Sequence, residues 1–417
     1  MRGILYSLAG HLVNLGLYLA ARGNEKAKRM LVGRTQTEPR LRERLDSSRP
    51  TLWIHASSLG EFEQGRPLIE QVRQDYPDWQ IVLSFYSPSG YEVRHAYEGA
   101  DAVVYLLGDT PGEVCKFLDA CRPSIAVFVK YDFWPVMLEE LARRHIDTYL
   151  ISAIFREEQL FFKPWGGLYR RVLHNFSHLF VQDQNSIELL RGIGITKASI
   201  AGDTRFDRVE SIATERQRLE ELEQLRSRAQ CLIVAGSTWG VDEDMLISYA
   251  TAEPESSIVF APHELDEERM QHLERHFGSS IARLSQLRSG TRQVSELLHL
   301  IIDSFGLLSS LYSYADIAYV GGGFGKSIHN TIEAAVYGIP VVFGPRHHKF
   351  REAQLLLARG AGYSVANEQE FVQTLQRLGA DTELRERAGK AARQLVVEQL
   401  GATQYILNTI MNEDKSK

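Results

Sequence analysis

Residues 319–330 read YVGGGFGKSIHN. A glycine run ending in Lys326 and Ser327 suggests a loop whose backbone N–H groups cradle a phosphate. The spacing fits neither familiar form of such a loop. A triphosphatase loop needs a glycine at 320, where Val320 stands, and a dinucleotide turn needs one at 326, where Lys326 stands. What remains is the local physics. DIAYV reads as a strand, and SIHNTIEAAVYG as a helix opening near His329 or Asn330. Such a junction leaves N–H groups and a partial positive charge at the helix start, where an anion or a sugar hydroxyl fits. Glu333, three residues after Asn330, could accept two hydroxyls of a ribose, or the pair could form a capping box.

A second carboxylate of interest, Glu61, follows TLWIHAS in a loop that leads into a helix. A glutamate there commonly offsets the helix dipole, which keeps it ionised at neutral pH but makes it a weaker base. Glu63 is the nearest competitor. Ser237 and Thr238 begin another helix and could donate to a phosphate or cap that helix. The acids Asp242, Glu243 and Asp244 mimic a metal-binding cluster but fall at a helix start, where acids are ordinary. His347 and His348 are adjacent, a spacing that does not put both on one helix face, and they read as surface residues. No metal and no cofactor is expected.

Composition narrows the classes further. With 417 residues and 44% apolar content the chain can bury two domains' worth of core. A formal net charge of −6 lacks the basic excess of a nucleic-acid binder. The cysteines Cys115, Cys121 and Cys231 show no C-x-x-C spacing, against a disulfide framework or structural zinc.

Near the start, ILYSLAGHLVNLGLYLAA (4–21) carries no formal charge. As a helix it would span roughly 27 Å, just matching a bilayer core. Arg22, Lys26, Lys28, Arg29 and Arg34 follow it and outnumber Arg2, which leaves everything downstream on the cytosolic side. A membrane anchor over residues 1–22 is expected, either spanning or lying flat. The rivals are an amphipathic helix packed on the domain and a cleaved signal peptide, the latter lacking an A-x-A site.

The elements that must position these residues alternate. TLWIHA, IVLSFY, AVVYLL, IAVFV and TYLIS read as strands, and EQGRPLIEQVRQDY and PVMLEELARRH as helices between them. A charged helical stretch, 208–230, interrupts this order. It then restarts with CLIVAGS, SSIVFAP, LLHLIID, DIAYVGG and IPVVFGP. An α/β fold of two Rossmann-like, doubly wound domains facing across a cleft is expected, with ligands beyond the carboxyl ends of the strands. The boundaries read as 23–204 for the first domain, 205–395 for the second, and 396–417 for a C-terminal helix and tail able to brace the first.

The stretch GGGFGKSIHNTIEAAVYGIPVVFGP resembles the nucleotide-sugar-binding signature of GT-B glycosyltransferases. More narrowly, it is similar to the 3-deoxy-D-manno-octulosonic acid (Kdo) transferases, which move Kdo from CMP-Kdo to a lipid A precursor. HASSLGEFEQGRPLIE (55–70), SFYSPSGYEV (84–93), FWP (133–135), VQDQNSIELLRGIGI (181–195), GDTRFD (202–207), GSTWGVDED (236–244) and YADIAYVGG (314–322) carry the resemblance over nearly the full length.

The resemblance implies Glu61 as the general base and Arg205 as a stabiliser of the transition state. A second stabilising position falls on Lys130, where many relatives have glutamate. It implies CMP contacts at Pro262 and His263, at Phe305, Gly306 and Leu307, and at Asn330, Thr331, Ile332 and Glu333. His263 and Leu307 depart from the arginine and glutamate common at those positions. The implied partners are CMP-Kdo, a lipid A precursor and inner-membrane lipid, at the cytoplasmic face of the inner membrane. Within 155–176, cations mixed with Phe161, Phe162, Trp165 and Tyr169 suit either a membrane interface or a buried helix with snorkelling basic residues. The competing readings are a UDP-sugar transferase of cell-envelope synthesis, a membrane-tethered nucleotide-sugar sensor without turnover, and an NAD-dependent oxidoreductase, for which no fingerprint is present.

Overall fold

The computed structural model describes residues 16–414. Most of the expected anchor, up to residue 15, lies outside the described residues. Among the described residues no helix is long and apolar enough to cross a membrane. The chain divides into two compact units, one running to Arg208 and resuming at Leu400, the other covering Val209–Gln399.

In the first unit, seven parallel strands form one sheet: β1 Thr51–Ala56, β2 Gln80–Phe85, β3 Ala102–Tyr105, β4 Ile125–Val129, β5 Asp147–Ala153, β6 His178–Val181 and β7 Ala198–Ile200. Their spatial order is β3-β2-β1-β4-β5-β6-β7. Chain direction through the sheet reverses between β1 and β4, which hydrogen-bond to each other in register Leu52 to Ile125. At such a switch point the loops leaving the two strands diverge to opposite faces and open a crevice. Both faces of the sheet are covered, so the strands read as continuous apolar runs. Trp53, Val82, Val104 and Phe128 pack on one face; Leu52, Ile54, Leu83, Val127 and Ile151 pack on the other. The last helix, Ala402–Asp414, adds Ile406, Leu407, Ile410 and Met411 to that second face.

The second unit repeats the plan with β8 Leu232–Thr238, β9 Ser257–Pro262, β10 Ile281–Arg283, β11 His299–Ile301, β12 Ile317–Val320, β13 Val341–Phe343 and β14 Gly362–Ser364. The order is β10-β11-β9-β8-β12-β13-β14, again all parallel, with the switch point between β8 and β12. Ile233, Ile258, Phe260, Ile317, Tyr319 and Val342 build its core.

Three local expectations are corrected. Ser237 and Thr238 do not begin a helix but end β8, and the helix starts at Gly240. The helix after the glycine run opens at Ile332, not at His329 or Asn330, and spans only Ile332–Ala335. The charged stretch is two helices, Arg205–Thr214 and Glu220–Arg228, separated by a non-helical segment.

Candidate active site

Glu61 sits in the first turn of the helix Leu59–Asp75, which leaves the carboxyl end of β1 through Ser57 and Ser58. Ser58 adopts the extended conformation of an N-cap, and its hydroxyl donates to Glu61 Oε2 at 3.0 Å. Helix packing dictates this placement. Phe62, Gln64, Gly65, Leu68, Ile69 and Val72 are buried, which leaves Glu61 half-buried at the crevice end. Glu63 is less suited, because it is tied to Arg94 at 3.1 Å and Arg66 at 3.8 Å.

From the other side of the switch point, the loop after β4 carries Lys130 and Asp132. Lys130 holds a left-handed backbone, φ +61°, a strained conformation for a side-chain-bearing residue and one found at functional sites. Asp132 is buried and reaches across to the Ser57 corner. Ser57 N–H donates to its Oδ2 at 3.0 Å, and the Ser57 hydroxyl donates to its Oδ1. Behind them His55, wholly buried at the end of β1, has Nε2 3.7 Å from Asp132 Oδ2 and Nδ1 2.8 Å from the Ser84 hydroxyl.

These groups tune each other. Burial raises the proton affinity of Glu61, and the charge of Asp132 raises it further, while Ser58 and the Lys130 cation oppose. The net direction is upward from the ordinary carboxylate value, with burial the largest cause. Burial pushes Asp132 up to about 6 against the two hydrogen bonds from Ser57. Burial drives His55 down to about 3, so its imidazole is neutral at physiological pH.

Arg205 opens its helix in direct contact with a buried carboxylate. Its Nη2 lies 2.7 Å, and its Nε 3.0 Å, from Asp203 Oδ2, a two-point grip that fixes the guanidinium plane. Gln64 Nε2 donates to Asp203 Oδ1 at 3.0 Å. Burial alone would raise Asp203, yet Arg205 and Gln64 hold it down at about 2.

In the second unit the nucleotide-binding candidates collect at the ends of β9 and β12 and in the segment after β11. Asn330 and Glu333 are joined, Asn330 Nδ2 donating to Glu333 Oε1 at 2.9 Å, while Asn330 Oδ1 accepts from Ile332 N–H at 3.3 Å. The pair is not a capping box, because the N-cap is Thr331 and makes no side-chain cap bond; the Asn330 side chain instead orients the Glu333 carboxylate. Thr331 and Ile332 are fully buried, and the Thr331 hydroxyl has no hydrogen-bond partner among the described residues. Pro262 ends β9, and His263 stacks between Trp239 at 4.7 Å and His329 at 4.4 Å. Burial and His263 lower His329 to about 4. Phe305 is exposed, Gly306 has φ +88°, and Leu307 is buried, so Leu307 presents no polar group.

The glycines serve close backbone approach. A Cβ at Gly321 would lie 2.8 Å from Thr238 Cα, and Gly322, at φ +87°, would meet Ser327 O at 2.5 Å. Asp242 ties this run to the β8 loop, accepting from Gly322 N–H at 3.0 Å, Trp239 N–H at 2.9 Å and the Tyr319 hydroxyl at 2.5 Å. Glu243 and Asp244 both hold Arg269. His347 is buried, not a surface residue, with Nδ1 2.8 Å from Gln354 Nε2. Of the aromatics in 155–176, Phe161 is buried in a ring cluster with Phe133, while Trp165 is 75% exposed.

Sequence reasoning missed Ser57, His55, Gln64 and Asp203 at the first crevice and Trp239 and His329 at the second. Their signal was positional. Except for Asp203, which follows the edge strand β7, each stands at or just beyond the end of a strand flanking a switch point, or on the element that follows it.

Comparison with known proteins agrees with this architecture. The family model described as "3-Deoxy-D-manno-octulosonic-acid transferase (kdotransferase)" matches residues 33–208, the stretch that contains Glu61, Lys130 and Arg205. A 3-deoxy-D-manno-octulosonic acid transferase of Aquifex aeolicus is 23% identical over 81% of this chain and 88% of that protein. Those of Haemophilus influenzae, at 25% over 86% of each, and Chlamydia trachomatis, at 29% over 76% of each, are similarly related. Among solved structures, Acinetobacter baumannii MurG superposes with TM-score 0.57 at 13% identity over 87% of this chain and 99% of its own. The UDP-GlcNAc 2-epimerase of Neisseria meningitidis gives 0.57 at 15% over 84% and 99%. These likenesses give the GT-B-like α/β fold, and the sequence comparisons give the resemblance: residues 33–208 match the 3-deoxy-D-manno-octulosonic-acid transferase model, and the chain is similar to curated transferases of that name over most of its length.

Proposed function

We propose that the protein is an inverting glycosyltransferase that moves Kdo from CMP-Kdo to a hydroxyl of a lipid A precursor in lipopolysaccharide synthesis. The observation that carries this reading is Glu61, a half-buried carboxylate of raised proton affinity at the β1/β4 switch point, within the segment matched by the family model. Glu61 takes the acceptor hydroxyl's proton as that oxygen bonds to the anomeric carbon. The bond from that carbon to the phosphate oxygen breaks, and CMP leaves with the electron pair. Arg205, oriented by Asp203, and Lys130 offset the charge that grows on the phosphate. Glu333, oriented by Asn330, accepts the ribose hydroxyls. Pro262, His263, Phe305, Gly306, Leu307, Thr331 and Ile332 complete the cytidylate contacts.

The protein acts at the cytoplasmic face of the inner membrane in this reading. Support comes from the uncharged segment 4–21 with its basic flank, and from exposed Leu160, Trp165 and Tyr169 near Arg156 and Arg171. The test is direct: purified protein, CMP-Kdo and a lipid A disaccharide are incubated, and added sugars are counted by mass spectrometry. A mass gain of Kdo units supports the reading. No gain, or competition by UDP rather than CMP in donor binding, rejects it in favour of a UDP-sugar transferase.

A further inference from the structure

Asp132 is an expensive residue for its place. Among the described residues Asp132 accepts hydrogen bonds from the Ser57 N–H and hydroxyl, and burial outweighs both; an asparagine could accept the N–H bond at Oδ1 and donate to the hydroxyl through Nδ2 without charge. What an asparagine could not supply is a negative charge beside Glu61. That charge matters because two features of the site weaken Glu61 as a base: its position in the first helical turn and the Lys130 cation.

We propose that Asp132 is a positioning residue for Glu61, clamping the Ser57–Ser58 corner from which the helix springs and setting the carboxylate's basicity through its own charge. The inference rests on the reading of Glu61 as the base. Two elements meet here. The end of β1 and its helix supply His55, Ser57, Ser58 and Glu61, and the loop after β4 supplies Lys130 and Asp132. His55 is neutral and walled by Phe128 and Trp134, each 5.7 Å away between ring centres, so it does not neutralise Asp132. Lys130 and Asp132 therefore act on Glu61 in opposite senses from one loop. The balance leaves Glu61 with a proton affinity above the ordinary carboxylate range.

The sign is testable. Removing the Asp132 charge stabilises the Glu61 anion, so the acid limb of the kcat–pH profile moves to lower pH and the plateau falls because the base is weaker. Turnover by the full-length protein is measured across the acid-to-neutral range for the parent, Asp132→Asn, Asp132→Glu, Ser57→Ala and Glu61→Gln. We expect Asp132→Asn to shift the limb down by about one pH unit and to lower kcat severalfold with KM for CMP-Kdo unchanged. Asp132→Glu should return the limb toward the parent. Ser57→Ala strips a hydrogen bond that favours the Asp132 anion, so it should also move the limb down, and it decides alone if Asp132→Asn fails to fold. An unmoved limb in the folded variants, or a change in KM alone, overturns the inference while leaving Glu61 as base. Full turnover by Glu61→Gln sinks the base reading itself.

Discussion

Gln64 Nε2 donates to Asp203 Oδ1 at 3.0 Å, tying the helix that carries Glu61 to the carboxylate that grips Arg205. Gln64 lies three residues after Glu61, about one helical turn, so its side chain shares the same flank of the helix. Thr204 seals the junction by donating to the Gln64 carbonyl at 2.5 Å. The proposed base and the proposed cation are thus held to one frame by a buried polar chain. Gln64→Leu should cost about 1–3 kcal/mol of stability by leaving Asp203 short of a partner. It should also lower kcat more than it raises KM. Chemical denaturation and steady-state kinetics on the same preparation check both.

The Asp203 carboxyl predicts a pH signature of its own. Its folded value, about 2, lies below the ordinary 3.8, so the stabilisation is fully present above the ordinary value and is lost as pH falls toward 2. The parent should exceed Asp203→Asn by about 2 kcal/mol at neutral pH, and the gap should narrow in acid. Denaturant midpoints measured along a pH series test this. A constant gap would mean that the pair contributes through shape alone.

Glu61→Gln should reduce turnover by about 100- to 10,000-fold, the usual worth of a general base, while CMP-Kdo binding changes little. Calorimetric titration of the donor beside product counting separates the two effects. A nucleotide-sugar sensor without turnover would keep its function in this variant.

Gly322→Ala should damage the second unit selectively. The residue has φ +87°, and a Cβ there would meet Ser327 O at 2.5 Å and the His329 ring at 2.9 Å. Strain of about 1–3 kcal/mol is expected, with a loss of donor affinity that exceeds that of Glu61→Gln. Thermal melts and calorimetry on the two variants decide the order.

The exposed and buried aromatics of 155–176 should part company. Trp165→Ser with Tyr169→Ser should weaken flotation with anionic vesicles at unchanged melting temperature, since both rings face solvent. Phe161→Ser should instead destabilise by about 3–5 kcal/mol, because it empties a site packed by Phe133 and Phe155. Unchanged flotation in the double variant would remove this surface from the membrane reading.

Ten of the fourteen strands were legible in the chain because both faces of each sheet are buried, which writes strands such as TLWIHA and IAVFV as unbroken apolar runs. The four that were not, β6, β7, β10 and β14, are short and each holds a position that is not fully buried, which breaks the apolar run, whereas the equally short β3, β11, β12 and β13 are buried throughout. Glu61 was legible as a glutamate near a helix start, and the role that the resemblance implies for it through motifs such as HASSLGEFEQG. Its chemistry was not, because local sequence offers only the helix dipole.

Residue order by itself determined the repeated strand–helix alternation, the two sheets and the loops worth inspecting. Tertiary structure alone decided which charges meet. Asp132 follows Glu61 by 71 positions and Asp203 follows Gln64 by 139. Only the strand order β3-β2-β1-β4-β5-β6-β7, with burial that strips water from the crevice end of β1, brings Asp132 toward Glu61 and Asp203 onto Gln64. Proton affinity depends on desolvation and on neighbouring charge, and both are properties of three-dimensional packing.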